Sequence, residues 1–253
     1  MSDHDDFFNG LAPDMPAADR RFFLGAGLFG VLTAGGLGYA LAAEQAAPGP
    51  GSWNQGAVTS EYRGLVTADP FPMLRTLDID GAPRTALLAC LGKCGVQPRL
   101  SAFGERQVVV RGSLIQRNRH AMIAVVDGMD WIEEAEGAAD PRLAFGDWTP
   151  LNDVSLKGEI LDTKCWFGAM RPGYGKPHKA CAALCIRGGL APGFYVNDAA
   201  RQSRLLVVVD ERRQPHGEDL LPLVADPVRL DGQAFAFADM AFLSASLSDV
   251  ERL

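Results

Sequence analysis

The chain has 253 residues, of which 47% are hydrophobic and 22% are charged, so it can form one large or two small domains with packed cores. Its formal net charge of -7 argues against the basic face that phosphate binding requires. Nucleic acid is therefore not an expected partner.

An uncharged, mostly apolar segment lies near the N-terminus. Residues 22–43 carry no charge and match the roughly 20 apolar residues that span a bilayer. Arg20-Arg21-Phe22-Phe23-Leu24 resembles a twin-arginine export signal, with Gly25 in place of the usual Lys. We therefore expect residues 1–21 in the cytoplasm, a single-pass anchor in a bacterial cytoplasmic (inner) membrane, and the bulk of the chain on the periplasmic side.

The same segment raises the question of cleavage. Ala40-Leu41-Ala42 has the small-x-small pattern that a signal peptidase accepts. The apolar run, however, is longer than the core of about 7–15 residues in a typical signal peptide, which favours a retained anchor. The resemblance to a twin-arginine signal implies export of a folded protein with any cofactor already in place.

The rest of the chain is predicted to be mainly β. Residues 44–58, rich in Pro, Gly and Ala, are expected to form a flexible tether. Short apolar and β-branched runs then follow, interrupted by helical pieces at Asp130–Glu136 and Glu218–Val224. The predicted strands are Glu61–Thr67, Met73–Ile79, Thr85–Cys90, Gln107–Gln116, Ala121–Asp127, Val154–Leu161, Gly193–Val196, Leu205–Val209, Val228–Leu230 and Ala234–Leu247.

The two halves of the β region resemble each other. Gly64 and Gly158 each lie inside an opening strand, and QVVVRG at 107–112 parallels PVRLDG at 227–232. Five short strands in each half, with glycines where strands bend, favour two small closed barrels of the OB type. A single β-sandwich is the alternative. The sequence thus predicts a first β domain at residues 59–145 and a second, carrying a short Cys/His helix, at residues 146–253.

The stretch from Asp162 to Gly189 concentrates the reactive side chains. Cys165 comes at the end of a predicted strand, whereas His178, Cys181 and Cys185 follow at i, i+3 and i+7 in a run of good helix formers. Thiolate and imidazole ligands suit zinc in tetrahedral geometry, with copper or iron as alternatives. We predict that these four residues, a Cys3His set, bind one metal ion.

Disulfide bonds are the competing interpretation, because cysteines outside the cytoplasm pair readily. Cys165 could pair with Cys181 or Cys185 and so staple the loop to the helix, a contribution of about 3 kcal/mol. Cys90 and Cys94 are separate candidates for a bond across a tight turn, since in one straight strand they would lie about 13 Å apart. If those two pair, the three remaining cysteines are those of the metal set.

Charged neighbours surround the cysteines. Asp162 is expected to cap a turn or to orient a ligand. Several basic residues are expected to form either a solvated face or an anion-binding or docking patch. They are Lys164, Arg171, Lys176, Lys179 and Arg187.

Residues 158–189 resemble a motif of bacterial membrane-anchored or secreted proteins, Asp-x-x-Cys followed by Gly-Lys-x-His-x-x-Cys-x-x-x-Cys. That resemblance implies no particular activity. The plan of anchor, tether and β-rich head also resembles the Rieske subunits of respiratory complexes. The two Cys-x-His-type loops of a Rieske site are absent from the sequence, so a Rieske cluster is not predicted.

These observations favour a non-catalytic role. The sequence shows no Ser/His/Asp arrangement, paired-carboxylate motif or dinucleotide fingerprint, so we expect neither catalytic residues nor an organic cofactor. We expect an accessory or structural subunit of a membrane protein complex, respiratory or otherwise concerned with electron transfer, that contacts the bilayer through residues 22–43. The alternative is a redox-active protein that uses the same Cys/His cluster for metal chemistry or thiol exchange.

Overall fold

The computed structural model describes residues 16–44, 49–53, 59–104, 106–197 and 203–253. The chain divides into two compact units, one around the N-terminal helix and one that holds the β structure. Helix α1 spans Ala17–Glu44, and its segment Ala17–Ala40 is long and apolar enough to cross a membrane. Its apolar side chains, such as Phe23 and Leu28, are more than half exposed. The helix thus contains the predicted anchor and begins five residues before it.

Within the described residues, the first sheet has seven strands. One short helix, α2, lies at Gln97–Leu100 between its strands β4 and β5. The strands are β1 (Ser52–Trp53), β2 (Ser60–Thr67), β3 (Met73–Leu77), β4 (Pro83–Ala89), β5 (Gln107–Arg117), β6 (His120–Val125) and β7 (Ile132–Glu134). Strand β2 pairs with both β3 and β5, β5 pairs with β6, and β6 runs parallel to β4. Because β3 also pairs with β4, five of the strands close into a barrel.

The second sheet has six strands in the described part of the chain, with helix α3 at Lys179–Arg187. The strands are β8 (Thr149–Asp162), β9 (Pro192–Asn197), β10 (Ser203–Val209), β11 (Pro227–Phe237), β12 (Met240–Ser244) and β13 (Val250–Arg252). Strand β8 pairs with β9 and β11, β9 with β10, and β11 with β12, while β10 runs parallel to β12. This is the same closed five-stranded order, so the predicted mainly β fold with two OB-like barrels is confirmed and the sandwich is wrong.

Two glycines occupy the same place in the two barrels. Gly64 in β2 pairs with Val108, the second residue of β5, and Gly158 in β8 pairs with Val228, the second residue of β11. A Cβ atom at Gly64 would collide with the backbone oxygen of Arg75, and one at Gly158 would collide with that of Tyr195. Each opening strand therefore approaches its neighbour as closely as only glycine allows.

The barrels are packed against each other within one compact unit. Each barrel has its own apolar interior, and a third cluster of buried residues joins them. In β10, Leu206 and Val208 point into the barrel while Leu205, Val207 and Val209 belong to the joining cluster. This two-sided burial explains why such strands read as continuous apolar runs rather than as alternating ones.

Two predicted elements differ from the structure. The helical piece at Asp130–Glu136 is instead strand β7, because its backbone pairs with β5 and buries Ile132. The second half was expected to break between Val228–Leu230 and Ala234–Leu247, but β11 runs unbroken to Phe237. The turn falls at Ala238, whose φ is 54°, and β12 begins at Met240.

The predicted flexible tether also requires correction. Residues 45–48 and 54–58 lie outside the described residues, but Gly49–Trp53 is attached to the first barrel. Arg117 donates to the Gly49 oxygen at 2.7 Å, and the Trp53 ring nitrogen donates to the Ser113 hydroxyl at 2.8 Å. The indole of Trp53 can bury its apolar ring on the sheet edge while its N–H finds a hydrogen-bond partner there. The Pro- and Gly-rich composition of the segment does not reveal this contact. The boundary predicted after residue 145 falls in the segment between β7 and β8.

Candidate metal centre

The candidate ligands are held by four consecutive elements of the second barrel. Asp162 ends β8, and Cys165 begins a helical turn at Cys165–Ala169. After a loop, His178 ends a 3-10 turn and is followed directly by α3, which carries Cys181 and Cys185. The loop has Pro172, Gly173, Gly175 and Pro177, which prevent a regular helix and bring the chain back to Cys165.

Three of the four predicted ligands lie together. The ligand atoms of Cys165, His178 and Cys181 are all within 4.8 Å of one another. The sulfur atoms of Cys165 and Cys181 are 3.8 Å apart. Two thiolates bound to one tetrahedral ion at about 2.3 Å each are separated by about 3.8 Å. This group could therefore bind a metal ion without a large rearrangement.

Cys185 belongs to a second, overlapping group. Its sulfur lies within 4.8 Å of the Cys165 sulfur and of an Asp162 oxygen, and these two also lie within that distance of each other. The four predicted ligand atoms do not all meet this limit together. Cys165 is common to both groups, and Asp162 is a ligand candidate that the sequence presented only as a cap or an orienting residue.

Asp162 performs both of those expected roles. It is fully buried; one carboxylate oxygen accepts a hydrogen bond from the Cys165 backbone N–H at 2.8 Å, and the other lies 2.9 Å from His178 Nε2. His178 itself is only 3% exposed. A carboxylate bonded to one imidazole nitrogen fixes the ring and leaves the second nitrogen, Nδ1, for a metal.

The first barrel covers the thiols with a loop closed by a disulfide bond. Cys90 and Cys94 are bonded, with their Cα atoms 5.4 Å apart. The buried Lys164 ammonium donates to the carbonyl oxygens of Cys90, Leu91 and Gly92 at 2.6–2.8 Å. The Gly95 N–H donates to the Gly188 oxygen at the end of α3 at 2.6 Å. The loop is thereby joined to the segments on both sides of the ligands.

Lys93, in the same loop, reaches the cluster itself. Its ammonium nitrogen lies 2.7 Å from the Cys181 sulfur, and this hydrogen bond raises the pKa of Lys93. Cys181 is half-buried, whereas Cys165 and Cys185 are buried. The lysine therefore stands at the exposed side of the cluster. It comes from the other barrel, 88 residues earlier in the chain, so no local pattern identifies it.

The buried thiols have opposite tendencies to ionise. A hydrogen bond with the Cys185 sulfur, burial and the charge of Asp162 all raise the pKa of Cys165. The same hydrogen bond lowers the pKa of Cys185, against the opposing effect of burial. Metal binding requires thiolates, so an ion entering here would displace the proton held by Cys165.

The predicted basic patch is not one surface. Lys164 is buried, and the loss of water around its ammonium group lowers its pKa. The three carbonyl oxygens described above are its hydrogen-bond partners. Arg171 donates to the Gly51 oxygen at 3.1 Å, and Lys179 pairs with Asp226 at 2.9 Å. Arg187 lies 3.7 Å from Glu218. Lys164 therefore belongs to no solvated face, whereas Arg171, Lys176 and Arg187 are exposed, as the solvated-face interpretation expects.

The turn that carries Cys165 is anchored by aromatic packing on the first barrel. Trp166 and Phe167 are fully buried in the joining cluster. His120 stacks on Phe167 with ring centres 5.5 Å apart and meets Trp166 edge-on at 5.4 Å. The Arg117 guanidinium lies over the Trp166 ring at 4.9 Å and donates to its carbonyl oxygen. The first barrel thus determines where the first ligand stands.

No protein-family model and no curated protein matches this chain. Among solved structures, a deletion mutant of the single-stranded DNA binding protein from Thermus aquaticus is similar at 15% identity and a TM-score of 0.22. The similarity covers 81% of this chain and 95% of that one. At such a TM-score it supports no conclusion about this protein.

His120 should make the stability of the β unit depend on pH. Burial, aided by Arg119 and Arg84, lowers its pKa to about 4, whereas an unfolded chain binds that proton near 6.5. The unfolded state therefore takes up more protons between these values. We expect the free energy of unfolding to have its full value above pH 6.5 and to be about 2–3 kcal/mol lower at pH 4.

Urea unfolding of the wild type and of His120→Phe at pH 7 and pH 4.5 measures this effect. The Phe variant keeps the stacking but has no proton to bind, so it should lose much less stability at pH 4.5. Burial also lowers the pKa of His216, so His216→Asn measures the separate contribution of that ring. An equal loss in the wild type and in His120→Phe would show that this ring does not control the acid sensitivity.

Proposed function

We propose that this protein is a membrane-anchored extracytoplasmic subunit with an accessory or structural role in an electron-transfer complex. Its Cys/His cluster serves as a structural metal site. The observation that carries the proposal is the position of the cluster: buried Cys165, His178 and Asp162 stand where the second barrel meets the first. A metal ion there would join β8, the following turn and α3 under the loop of the first barrel.

The donor set supports a thiophilic metal. Thiolate sulfur and imidazole nitrogen suit zinc, which the sequence favours, and they also suit copper or iron. The Asp162–His178 hydrogen bond is the kind of contact that orients a metal-bound imidazole. A bound ion would stabilise the fold through the free energy of its own coordination, since the unfolded chain does not hold these ligands together.

The apolar helix supports the anchor. Arg20 and Arg21 lie in the first turns of α1, followed by apolar residues with no charge up to Glu44. Positive charge before a spanning segment favours a cytoplasmic N-terminus and a periplasmic head.

Such a subunit should copurify with other membrane proteins in mild detergent. A strictly monomeric protein in the same extract would contradict the accessory role.

A second candidate, thiol-based redox chemistry, is favoured by one distance. The sulfur atoms of Cys165 and Cys181 are 3.8 Å apart, and Cys181 is half-buried. Exchange with an incoming disulfide, which leaves as two thiols, would join these sulfur atoms in a disulfide bond after a small movement. Metal binding and this bond are mutually exclusive, so the content of metal and of free thiols separates the two candidates.

Metal content tests the first candidate. Protein extracted from its native membrane should contain at least one tightly held transition-metal ion per chain, measured by plasma mass spectrometry. Cys165→Ser removes the sulfur common to both groups and should weaken binding by about 100-fold or more. His216→Asn, a change at a histidine outside the cluster, should retain the metal. Wild-type protein with no metal and fewer than two free thiols would overturn the proposal.

Chemical labelling tests the location of the head. Ile79 is fully exposed, so Ile79→Cys provides a reporter outside the cluster. A membrane-impermeant maleimide should label it in intact spheroplasts, with the unmodified chain as background. Replacing Arg20 and Arg21 together by Lys should abolish this labelling until the cells are lysed, whereas Arg106→Lys, at an exposed position, should not. Labelling of Ile79→Cys only after lysis of otherwise wild-type cells would contradict a periplasmic head.

A further inference from the structure

The two ligand groups share one atom, the sulfur of Cys165. The outer group adds His178 and Cys181, and the inner group adds Asp162 and Cys185. We propose that the cluster is a two-ion centre for monovalent copper, in which the Cys165 thiolate bridges an outer and an inner Cu(I). This inference rests on the proposed metal-binding function and extends it in the identity and number of the ions.

The grouping of the ligand atoms argues for two ions. Around a single ion all donors would be close neighbours, yet the four predicted ligand atoms do not all lie within 4.8 Å of one another. They fall into two sets of three once Asp162 is included. A thiolate sulfur has more than one lone pair and can bind two ions. At about 2.3 Å from one sulfur, those ions would stand at most about 4.6 Å apart.

The number of ligands in each group argues for Cu(I). Each group offers three protein ligands, and zinc in structural sites takes four. Cu(I), a soft d10 ion, prefers thiolates and is satisfied by two or three ligands, so the sulfur atoms of Cys165 and Cys185 would supply most of the inner coordination. The inner group is entirely buried, with Asp162, Cys165 and Cys185 each at most 4% exposed, so water is poorly placed to supply a fourth ligand for zinc.

The charge balance of the cluster also favours Cu(I). Three thiolates and the Asp162 carboxylate carry four negative charges, and Lys93 and Lys164 carry two positive charges beside them. Lys93 touches Cys181, and Lys164 is buried on the loop above. Two Cu(I) ions would bring the sum to zero, whereas two zinc ions would leave it at plus two. Buried charge is tolerated only when it is balanced, which favours the monovalent pair.

The two positions should differ in access. Cys181 is half-buried and lies beside the exposed Lys93, so the outer ion faces solvent. The inner ligands are enclosed by the strand end, α3 and the disulfide-closed loop. The outer copper should therefore exchange with a competing chelator faster than the inner copper does.

Native mass spectrometry of the full-length protein in detergent, loaded anaerobically with Cu(I), tests the proposal. The wild type should hold two copper ions per chain. Cys181→Ser and Cys185→Ser should each retain one, through loss of the outer and of the inner position respectively, and Cys165→Ser should retain neither tightly. In a competition with a Cu(I) chelator, the ion that remains in Cys185→Ser should leave faster than the ion that remains in Cys181→Ser.

The control is His216→Asn, which changes a histidine outside the cluster. It should still hold two copper ions. If the second ion is lost there, it was bound outside the cluster, and the two-ion centre is wrong. Because the wild-type count does not depend on any variant folding, it remains decisive if a buried substitution disrupts the protein.

The outcomes separate this inference from the proposed function. A wild type with one copper, or with one zinc and no copper, overturns the two-ion centre and leaves a metal site. A wild type that takes up neither copper nor zinc overturns both. If Cys185→Ser still binds two copper ions, the inference is also overturned, because the inner ligands would then not be needed for binding.

Discussion

The buried carboxylate of Asp162 is the contact on which the rest of the site depends. It is fully desolvated, a state that costs several kcal/mol unless hydrogen bonds or charges compensate. The Cys165 N–H and the His178 ring supply that compensation at 2.8 and 2.9 Å. These two bonds tie the end of β8 to the turn after it and to the residue that precedes α3. The ligands converge because this one group requires partners from both segments.

The second constraint is that neither barrel completes the site alone. The ligands come from the second barrel, but Trp166 and Phe167 are packed on the first, and Lys164 is bound to carbonyl oxygens of the Cys90–Cys94 loop. The shared apolar cluster explains why the two barrels form one compact unit. A metal ion would therefore stabilise the junction of the barrels as well as the strand that holds it.

The sequence predicted those features of the fold that depend on residues close to one another in the chain. The glycines at 64 and 158 mark equivalent points of the two opening strands, where the close approach of backbones leaves no room for a Cβ. The run of helix formers around Cys181 and Cys185 predicted helix α3, which Gly188 and Gly189 end, although His178 lies in the 3-10 turn before it. These features depend on neighbours within a few residues or on a repeated strand geometry.

Other features depend on contacts that no local pattern contains. Lys93 meets Cys181 across 88 residues, and Trp53 joins β5 although it lies in a stretch rich in Pro and Gly. The segment at Asp130–Glu136 has good helix formers, yet pairing with β5 made it a strand. The sequence presents Asp162 only as a cap or an orienting residue, because its place in the inner ligand group follows from how α3 returns to the strand end.

The central claim is that Cys165 and its neighbours bind a thiophilic metal ion in the native protein. X-ray absorption spectroscopy at the edge of the bound metal, on protein taken from its own membrane, tests it most directly. Sulfur scatterers should appear at about 2.3 Å, together with nitrogen or oxygen at about 2.0–2.1 Å. A shell of oxygen and nitrogen alone, with no sulfur, would contradict it.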